Sequence, residues 1–330
     1  MLLLLDKDRL FLDHRISATS SSKSRPDDSL SPTDGANALQ TGRQIAKNLI
    51  EMTRLRLNLL VLLTTAIGFL LAMQGGTVQG FDAIRLLIHT LIGTAICGCA
   101  GSVLNQWVER GTDHLMRRTS DRPIPTGRID PEVAFWFGGI LTIVGVLHLV
   151  LFVNLVAAGL ALGTIILYSF VYTPMKYRHW TSTIVGAIPG AIPPVIGWAA
   201  MDGSLGVGAF VFFLILFAWQ MPHFFAIGTK YRDEYAQAGI VILPVVDNER
   251  LDRTMNSVIG WSLILAAFTI LPVVIGMIGM VGLMLMIVLN AMQMMLATRF
   301  YQDRTRERAR LFFLWTVMYL PMVMITLVVT

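Results

Sequence analysis

The sequence predicts an all-α polytopic membrane protein, a bundle of nine transmembrane helices. Two observations lead there. Hydrophobic residues make up 55% of the 330 residues and charged residues only 14%, against about 25% charged in a soluble domain. Apolar runs of roughly 18 residues or more also recur along the chain, each long enough to cross about 30 Å of hydrocarbon. Backbone polar groups in lipid must be satisfied within their own segment, which selects helices. The net charge of +5 does not indicate a nucleic-acid partner, because the basic residues lie between the apolar runs.

Residues 1–42 differ from the rest. The opening "MLLLLD" has too short an apolar run for a signal peptide, and the Ser-, Asp- and Pro-rich stretch after it is expected to be a disordered N-terminal extension. Six acids there (Asp6, Asp8, Asp13, Asp27, Asp28 and Asp34) argue against a mitochondrial transit peptide and for a bacterial plasma membrane. Residues 43–330 are expected to form one membrane-embedded domain. Its spans fall near 56–74, 84–106, 132–152, 154–173, 182–201, 206–228, 257–276, 278–298 and 311–329. Connectors after the odd spans are short and nearly uncharged, and those after the even spans are basic or long. With the N-terminus in the cytoplasm, 25 of the 26 Lys and Arg fall inside and only Arg85 outside, as the positive-inside rule requires.

Individual spans carry further signals. The fifth, "GAIPGAIPPVIGW", is interrupted by Gly and Pro, tolerated where neighbouring helices or a cavity compensate the freed backbone; a bundle with a central cavity is expected. The Met-rich eighth span suits adaptable packing. Cys97 and Cys99 sit among Ala and Gly, which favours close helix packing over a metal site. His89 and His148 have apolar neighbours and are expected to be satisfied by an adjacent helix.

Three polar clusters fall at the cytoplasmic ends of spans two, four and six. The first is "NQWVERGTDHLMRRTSDRPIPTGR". If span two continues as a helix, Asn105, Glu109, Asp113 and Arg117 form one stripe at i,i+4 spacing. That stripe reads either as a solvated face with an ordinary Asp113–Arg117 ion pair, or as a Mg²⁺ site. Hard cations take oxygen ligands, and Mg²⁺ commonly uses one or two carboxylates plus substrate phosphates; Arg117, Arg118 and Arg122 supply bidentate partners for phosphate oxygens. The second cluster, "YTPMKYRHW", brings Tyr172, Lys176 and Arg178. The third, "WQMPHFFAIGTKYRDEY", brings Gln220, His223, Lys230, Asp233 and Glu234. An ionisable group at membrane depth such as His223 is a functional candidate by default. The aromatics nearby, Trp107, Tyr168, Tyr172, Trp219, Phe224 and Phe225, read as an interfacial belt or as a cation–π lining for a carbocation.

These three motifs, in this order and over about residues 45–328, resemble the intramembrane aromatic prenyltransferase superfamily, and "WQMPHF" is similar to its haem-modifying branch rather than to the quinone or chlorophyll branches. The resemblance implies a cytoplasmic-side pocket for farnesyl diphosphate and Mg²⁺, with Asn105, Glu109 and Asp113 as metal and diphosphate ligands and Lys176 on the diphosphate. It implies Arg117, Arg118 and Arg122 as diphosphate or propionate partners, with Tyr172, Arg178, Gln220, His223, Lys230 and Asp233 as further substrate contacts. Haem B enters as substrate rather than cofactor, and haem A synthase or other oxidase assembly proteins are the implied partners. Many superfamily members carry an aspartate-rich second motif after span six; here only Asp233 and Glu234 are acidic, which leaves the number of metal ions open.

Overall fold

The computed structural model describes residues 32–73 and 78–330, and among these every regular element is a helix. Helix α1 spans Pro32–Met52. Nine apolar helices of 19 residues or more follow: α2 Leu55–Met73, α3 Gly80–Glu109, α4 Pro131–Phe152, α5 Leu155–Met175, α6 Ser182–Asp202 and α7 Val207–Lys230, then, after a short α8 (Arg232–Gln237), α9 Asp252–Val274, α10 Met280–Gln302 and α11 Arg306–Val329. All nine are long and apolar enough to cross a membrane, so the chain is a multi-pass membrane protein. Of the expected disordered extension, residues 1–31 lie outside the described residues. The helix that starts at Pro32 crosses the expected boundary at residue 42, so helical structure begins about three turns before the composition indicates. Beyond residue 42 that helix turns Asn48, Leu49 and Met52 towards the bundle and leaves Ile45, Lys47 and Ile50 exposed.

Helix ends follow local chemistry. The two-residue connector after α4 works because Asn154 caps α5, its Oδ1 accepting from Ala157 N at 2.9 Å. The Asn154 amide also donates to the Ala199 carbonyl of α6 at 2.8 Å, tying three helices at one corner. Asp130 accepts from Glu132 N at the start of α4, with Pro131 at the first helical position, where a missing N–H costs nothing. Near the end of α5, residues Leu167–Tyr172 widen into a π-helical stretch, a feature often found at functional sites.

Helices α2 and α6 approach backbone to backbone at two glycines. A Cβ at Gly197 would fall on the Thr65 carbonyl and Phe69 amide of α2, and one at Gly68 on the Pro194 carbonyl of α6. The interrupted fifth span therefore brings backbone against backbone, the use small residues have in membrane bundles. Cys97 is buried among Ala and Leu side chains of the α3–α5 core, and Asn58 donates to Cys99 Sγ at 3.4 Å; both cysteines pack. His89 Nδ1 and His148 Nε2 lie 3.3 Å apart across α3 and α4, so each satisfies the other as expected. The Met52–Val103–Ile124–Ile129–Ala134 cluster clamps α1 over residues 110–130. A groove of about 540 Å³ lined by Leu49, Asp130, Trp136 and Phe137 lies on the outer flank of α1 and α4, away from the carboxylates described next.

Candidate active site

The polar clusters of α3 and α5 meet. Asn105, Glu109 and Asp113 are all buried. Asn105 donates through Nδ2 to Thr173 Oγ1 at 2.9 Å. Glu109 pairs with Lys176 and accepts from Arg122 through Oε2 at 2.8 Å. The same Arg122 nitrogen reaches both oxygens of Asp113 at 2.6 Å. One guanidinium thus bridges two carboxylates whose like charges would otherwise repel at close range.

This corrects the expected stripe. Helix α3 ends at Glu109, and Asp113 opens a separate single turn, Asp113–Leu115. Gly111, a weak helix former, and the like charges at positions 109 and 113 oppose continuation; the Thr112 amide and hydroxyl fold back onto the Glu109 carbonyl at 2.8 and 3.1 Å. Asp113 is neither solvated nor paired with Arg117, which is exposed. Its partner is Arg122, nine residues on, so the ordinary surface ion pair is excluded.

The third cluster reaches this site only in part. The segment after α8 returns to it: Val241 N donates to the Lys176 carbonyl at 2.7 Å, and Met116, Tyr235, Ala238 and Ile240 pack with Tyr177 and Tyr231. Arg118 lies over the Tyr235 ring at 5.3 Å, and Thr112 Oγ1 meets Tyr177 OH at 2.6 Å. Lys230 donates to Tyr231 OH at 2.7 Å at the rim of this cluster. Tyr172 is half-buried, stacked with Tyr168 at 5.7 Å, and its ring occupies the place a Cβ at Gly186 would take. Gln220 is buried between α6 and α7, donating to the Ala187 and Leu216 carbonyls. His223 stacks on Trp219 at 4.8 Å, and its Nδ1 is 2.9 Å from Thr316 Oγ1 of α11. Arg178 is exposed, and exposed Asp233 pairs with Arg306. Neither makes a contact with the carboxylate pair.

Sequence reasoning missed Arg54. It sits between α1 and α2 with φ of +50°, a left-handed conformation that costs a non-glycine residue about 1 kcal/mol or more. Burial pulls its guanidinium down, while Tyr168 and Asp113, in that order, pull it up. Among the described residues its side chain makes no hydrogen bond or ion pair. Burial likewise pushes the Asp113 carboxyl up to about 7, against the pull of Arg54, Thr119 and Arg118. It brings the Lys176 ammonium down to about 7, with Arg54 adding to the effect. The side chains of Glu109, Asp113, Arg122 and Lys176 are all largely withdrawn from solvent, so these four charges are poorly hydrated. Four cations (Arg54, Arg118, Arg122 and Lys176) gather around two carboxylates, and Arg122 Nε is buried with no acceptor among the described residues. The excess positive charge and the orphaned donor suit a polyanion. The oxygens of Asn105, Glu109 and Asp113 are the hard donors a divalent cation takes. Among the described residues no three His, Cys, Asp or Glu group together, so a cation here would depend on oxygens of the Asn amide and of the anion as well.

The class follows from comparison with known proteins. The sequence model of the UbiA prenyltransferase family matches residues 61–320; the chain belongs to that family and is a membrane-embedded transferase. Over 282 residues it is 40% identical to the protoheme IX farnesyltransferase of Solibacter usitatus, covering 84% of this chain and 96% of that protein. It is 37% identical over 270 residues to the protoheme IX farnesyltransferase of Bacillus licheniformis, covering 81% and 86%. Two solved structures share the fold. One concerns digeranylgeranylglyceryl phosphate synthase, with a TM-score of 0.72 at 15% identity over 86% of this chain and 98% of that one. The other is a UbiA homolog from Archaeoglobus fulgidus bound to GPP and Mg2+, with a TM-score of 0.59 at 16% identity over 86% and 100%.

Proposed function

We propose that the chain transfers the farnesyl group of farnesyl diphosphate to a vinyl group of haem B, with addition of water, giving haem O and diphosphate. The observation that carries this reading is the buried junction of α3 and α5, where Glu109, Asp113, Arg122 and Lys176 form one ionic cluster beside Arg54 and Arg118. It supplies the cation ligands and the diphosphate partners together, and the similarity to protoheme IX farnesyltransferases supports haem B as acceptor.

In this reading Asn105, Glu109 and Asp113 hold a divalent cation, Mg²⁺ in its ordinary form. When bound, that ion supplies charge neutralisation for the diphosphate leaving group. Lys176 and Arg122, now held on the carboxylates, turn to diphosphate oxygens and stabilise the negative charge that grows as the C1–O bond breaks. The electron pair of that bond leaves with diphosphate. The stacked faces of Tyr168 and Tyr172 stand beside the allylic cation and favour it by cation–π attraction. The vinyl π electrons form the new bond to C1. A water oxygen captures the cation left beside the porphyrin, and its proton passes to solvent. Arg54 and Arg118 take anionic groups of the two substrates, and His223, with Nδ1 committed to Thr316, offers Nε2 to the haem iron. Gln220, Lys230, Arg117, Arg178 and Asp233 stand further from the carboxylate pair, as rim or packing residues. The excess of basic connectors at this end of the bundle supports a cytoplasmic site in a bacterial inner membrane, with haem A synthase as the consumer of the product.

Two experiments bear on this reading. Detergent-purified protein given haem B, farnesyl diphosphate and Mg²⁺ is expected to yield a pigment whose mass has gained a farnesyl group and a hydroxyl, absent when EDTA is included. Unchanged haem B from folded, haem-binding protein would shift the reading to a haem chaperone; transfer to an aromatic acid in place of haem would shift it to quinone-precursor prenylation. Arg54→Gly is expected to leave thermal stability equal or higher, because glycine accepts positive φ freely. It should raise a substrate KM about 10–100-fold, the loss of one or two charge-assisted hydrogen bonds. An unchanged KM for both substrates would remove Arg54 from the site.

A further inference from the structure

We propose that Thr173 is a positioning residue: its hydroxyl fixes the amide of Asn105 so that the Asn105 carbonyl oxygen, and not its nitrogen, is presented as a cation ligand. This rests on the reading of Asn105, Glu109 and Asp113 as ligands, and extends it by one residue that touches neither substrate nor metal.

An Asn side chain has one accepting and one donating end of nearly the same shape, so which end faces a site is set by its hydrogen-bond partners. Thr173 Oγ1 lies 2.7 Å from the Tyr168 carbonyl. A carbonyl has no proton to give, so at that distance the hydroxyl must donate to it. Its single proton is then used, and towards Asn105 it can only accept. The 2.9 Å contact between Asn105 and Thr173 Oγ1 is therefore made by Nδ2. The opposite orientation would place Asn105 Oδ1 against a hydroxyl lone pair, inside a protein where water cannot relieve the mismatch.

Local structure explains why the hydroxyl is so committed. Tyr168 lies within the π-helical stretch of α5 and Thr173 directly follows it, and the Thr173 amide also bonds the Tyr168 carbonyl across five residues. The wider turn lets amide and hydroxyl of one residue converge on one carbonyl, and both Thr173 and Asn105 are buried. Asn105 Oδ1 accepts no hydrogen bond among the described residues, and unlike Arg122 Nε it is not among the fully enclosed unpartnered atoms. It lies one helical turn from Glu109, hence on the same face of α3. The chain from Tyr168 through Thr173 to Asn105 thus points an uncommitted oxygen along the side of α3 that carries the buried carboxylate. A partner of this kind, behind a ligand, commonly changes metal affinity about 10–100-fold when removed.

The test is Mn²⁺ binding followed by electron paramagnetic resonance on detergent-purified protein, without prenyl substrate or haem, alone and with inorganic diphosphate at fixed concentration. Thr173→Val keeps the shape and removes the hydroxyl, and should weaken Mn²⁺ binding about 10–100-fold. Thr173→Ser retains the hydroxyl and should bind within about threefold of the parent, which a purely packing role for the threonine methyl would not give. T173V binding as tightly as the parent overturns the proposal, as does T173S binding as weakly as T173V. Where T173V does not yield monodisperse protein, Thr173→Ala removes the same hydroxyl without placing a methyl against the carbonyl and carries the same comparison. A parent that binds no Mn²⁺ in either arm rejects the ligand assignment itself; a parent that binds beside an unchanged T173V rejects only the role of Thr173.

Discussion

Asp113→Asn should abolish turnover, lowering kcat by about 10²–10³-fold or more, while the protein stays folded in detergent. The size follows from what the substitution removes. Asparagine keeps the shape and one oxygen but loses the negative charge that a divalent cation requires, and losing a single preorganised electrostatic group in a dry site commonly costs that factor. The fold should survive because two effects oppose one another. The substitution removes one of the two carboxylate oxygens that a single Arg122 nitrogen holds at 2.6 Å each. It also deletes an ionised group whose burial already pushes it up to about 7, so the neutral amide is cheaper to bury. Arg122 retains Glu109 at 2.8 Å and is not stranded. Purification of the variant as a monodisperse species, with thermal unfolding close to the parent, accompanied by the haem-product assay, is the check. Full activity in folded D113N would defeat the assignment of Asp113 as a ligand, and loss of activity through unfolding alone would leave the carboxylate with a structural role.

How much of this site was legible in the sequence depends on where each partner lies. The helices were readable because length and apolarity are properties of one continuous segment; each expected span matches an observed helix to within a few residues at most ends. Asn105, Glu109, Lys176 and Arg122 were also readable, because polar and charged residue types gather at and just beyond the same end of the second and fourth spans. What the sequence misplaced is set by loop geometry. Asp113 left the helical stripe because the chain turns at Gly111, and its partner became Arg122 instead of Arg117. Arg54 was one of many bases before the first span, and nothing in its spacing marks its positive φ or its influence on Asp113. Thr173 carries no charge and gives no signal until its two hydrogen bonds are seen. His223 and Asp233 were grouped with the site because they follow one another along α7 and α8. Their actual partners, Thr316 and Arg306, come from α11, more than 70 residues later, where no local pattern could place them.

Gly197→Leu should collapse fold and activity together, in contrast to D113N. The fifth span reads in sequence as an interrupted helix compensated by neighbouring helices or a cavity; on the side facing α2 the compensation is a neighbouring helix, met through glycine. At Gly197 a Cβ would coincide with the Thr65 carbonyl and the Phe69 amide, which are backbone atoms of a neighbouring helix and cannot rotate aside. Gly68 meets the Pro194 carbonyl in the same interface, so the helices cannot relieve the clash by sliding a turn. Overpacking a core usually costs about 1–3 kcal/mol because side chains yield; here α2 as a whole must move, and the effect should exceed that range. The consequence reaches the cytoplasmic end. Helix α2 starts at Leu55, directly after Arg54, and near that end Asn58 bonds the Thr53 carbonyl at 2.8 Å and Cys99 Sγ of α3 at 3.4 Å. Pushing α2 off α6 therefore disturbs both the guanidinium and the helix that carries Asn105 and Glu109. Gly197→Ala already carries the clashing Cβ and should be destabilised in the same direction, by less than leucine with its further branched carbons. Size-exclusion profiles and thermal unfolding of the two variants, set beside haem-product yields, measure this. A G197L protein as stable and active as the parent would mean that α2 and α6 do not touch backbone to backbone, and that the interrupted span borders open space.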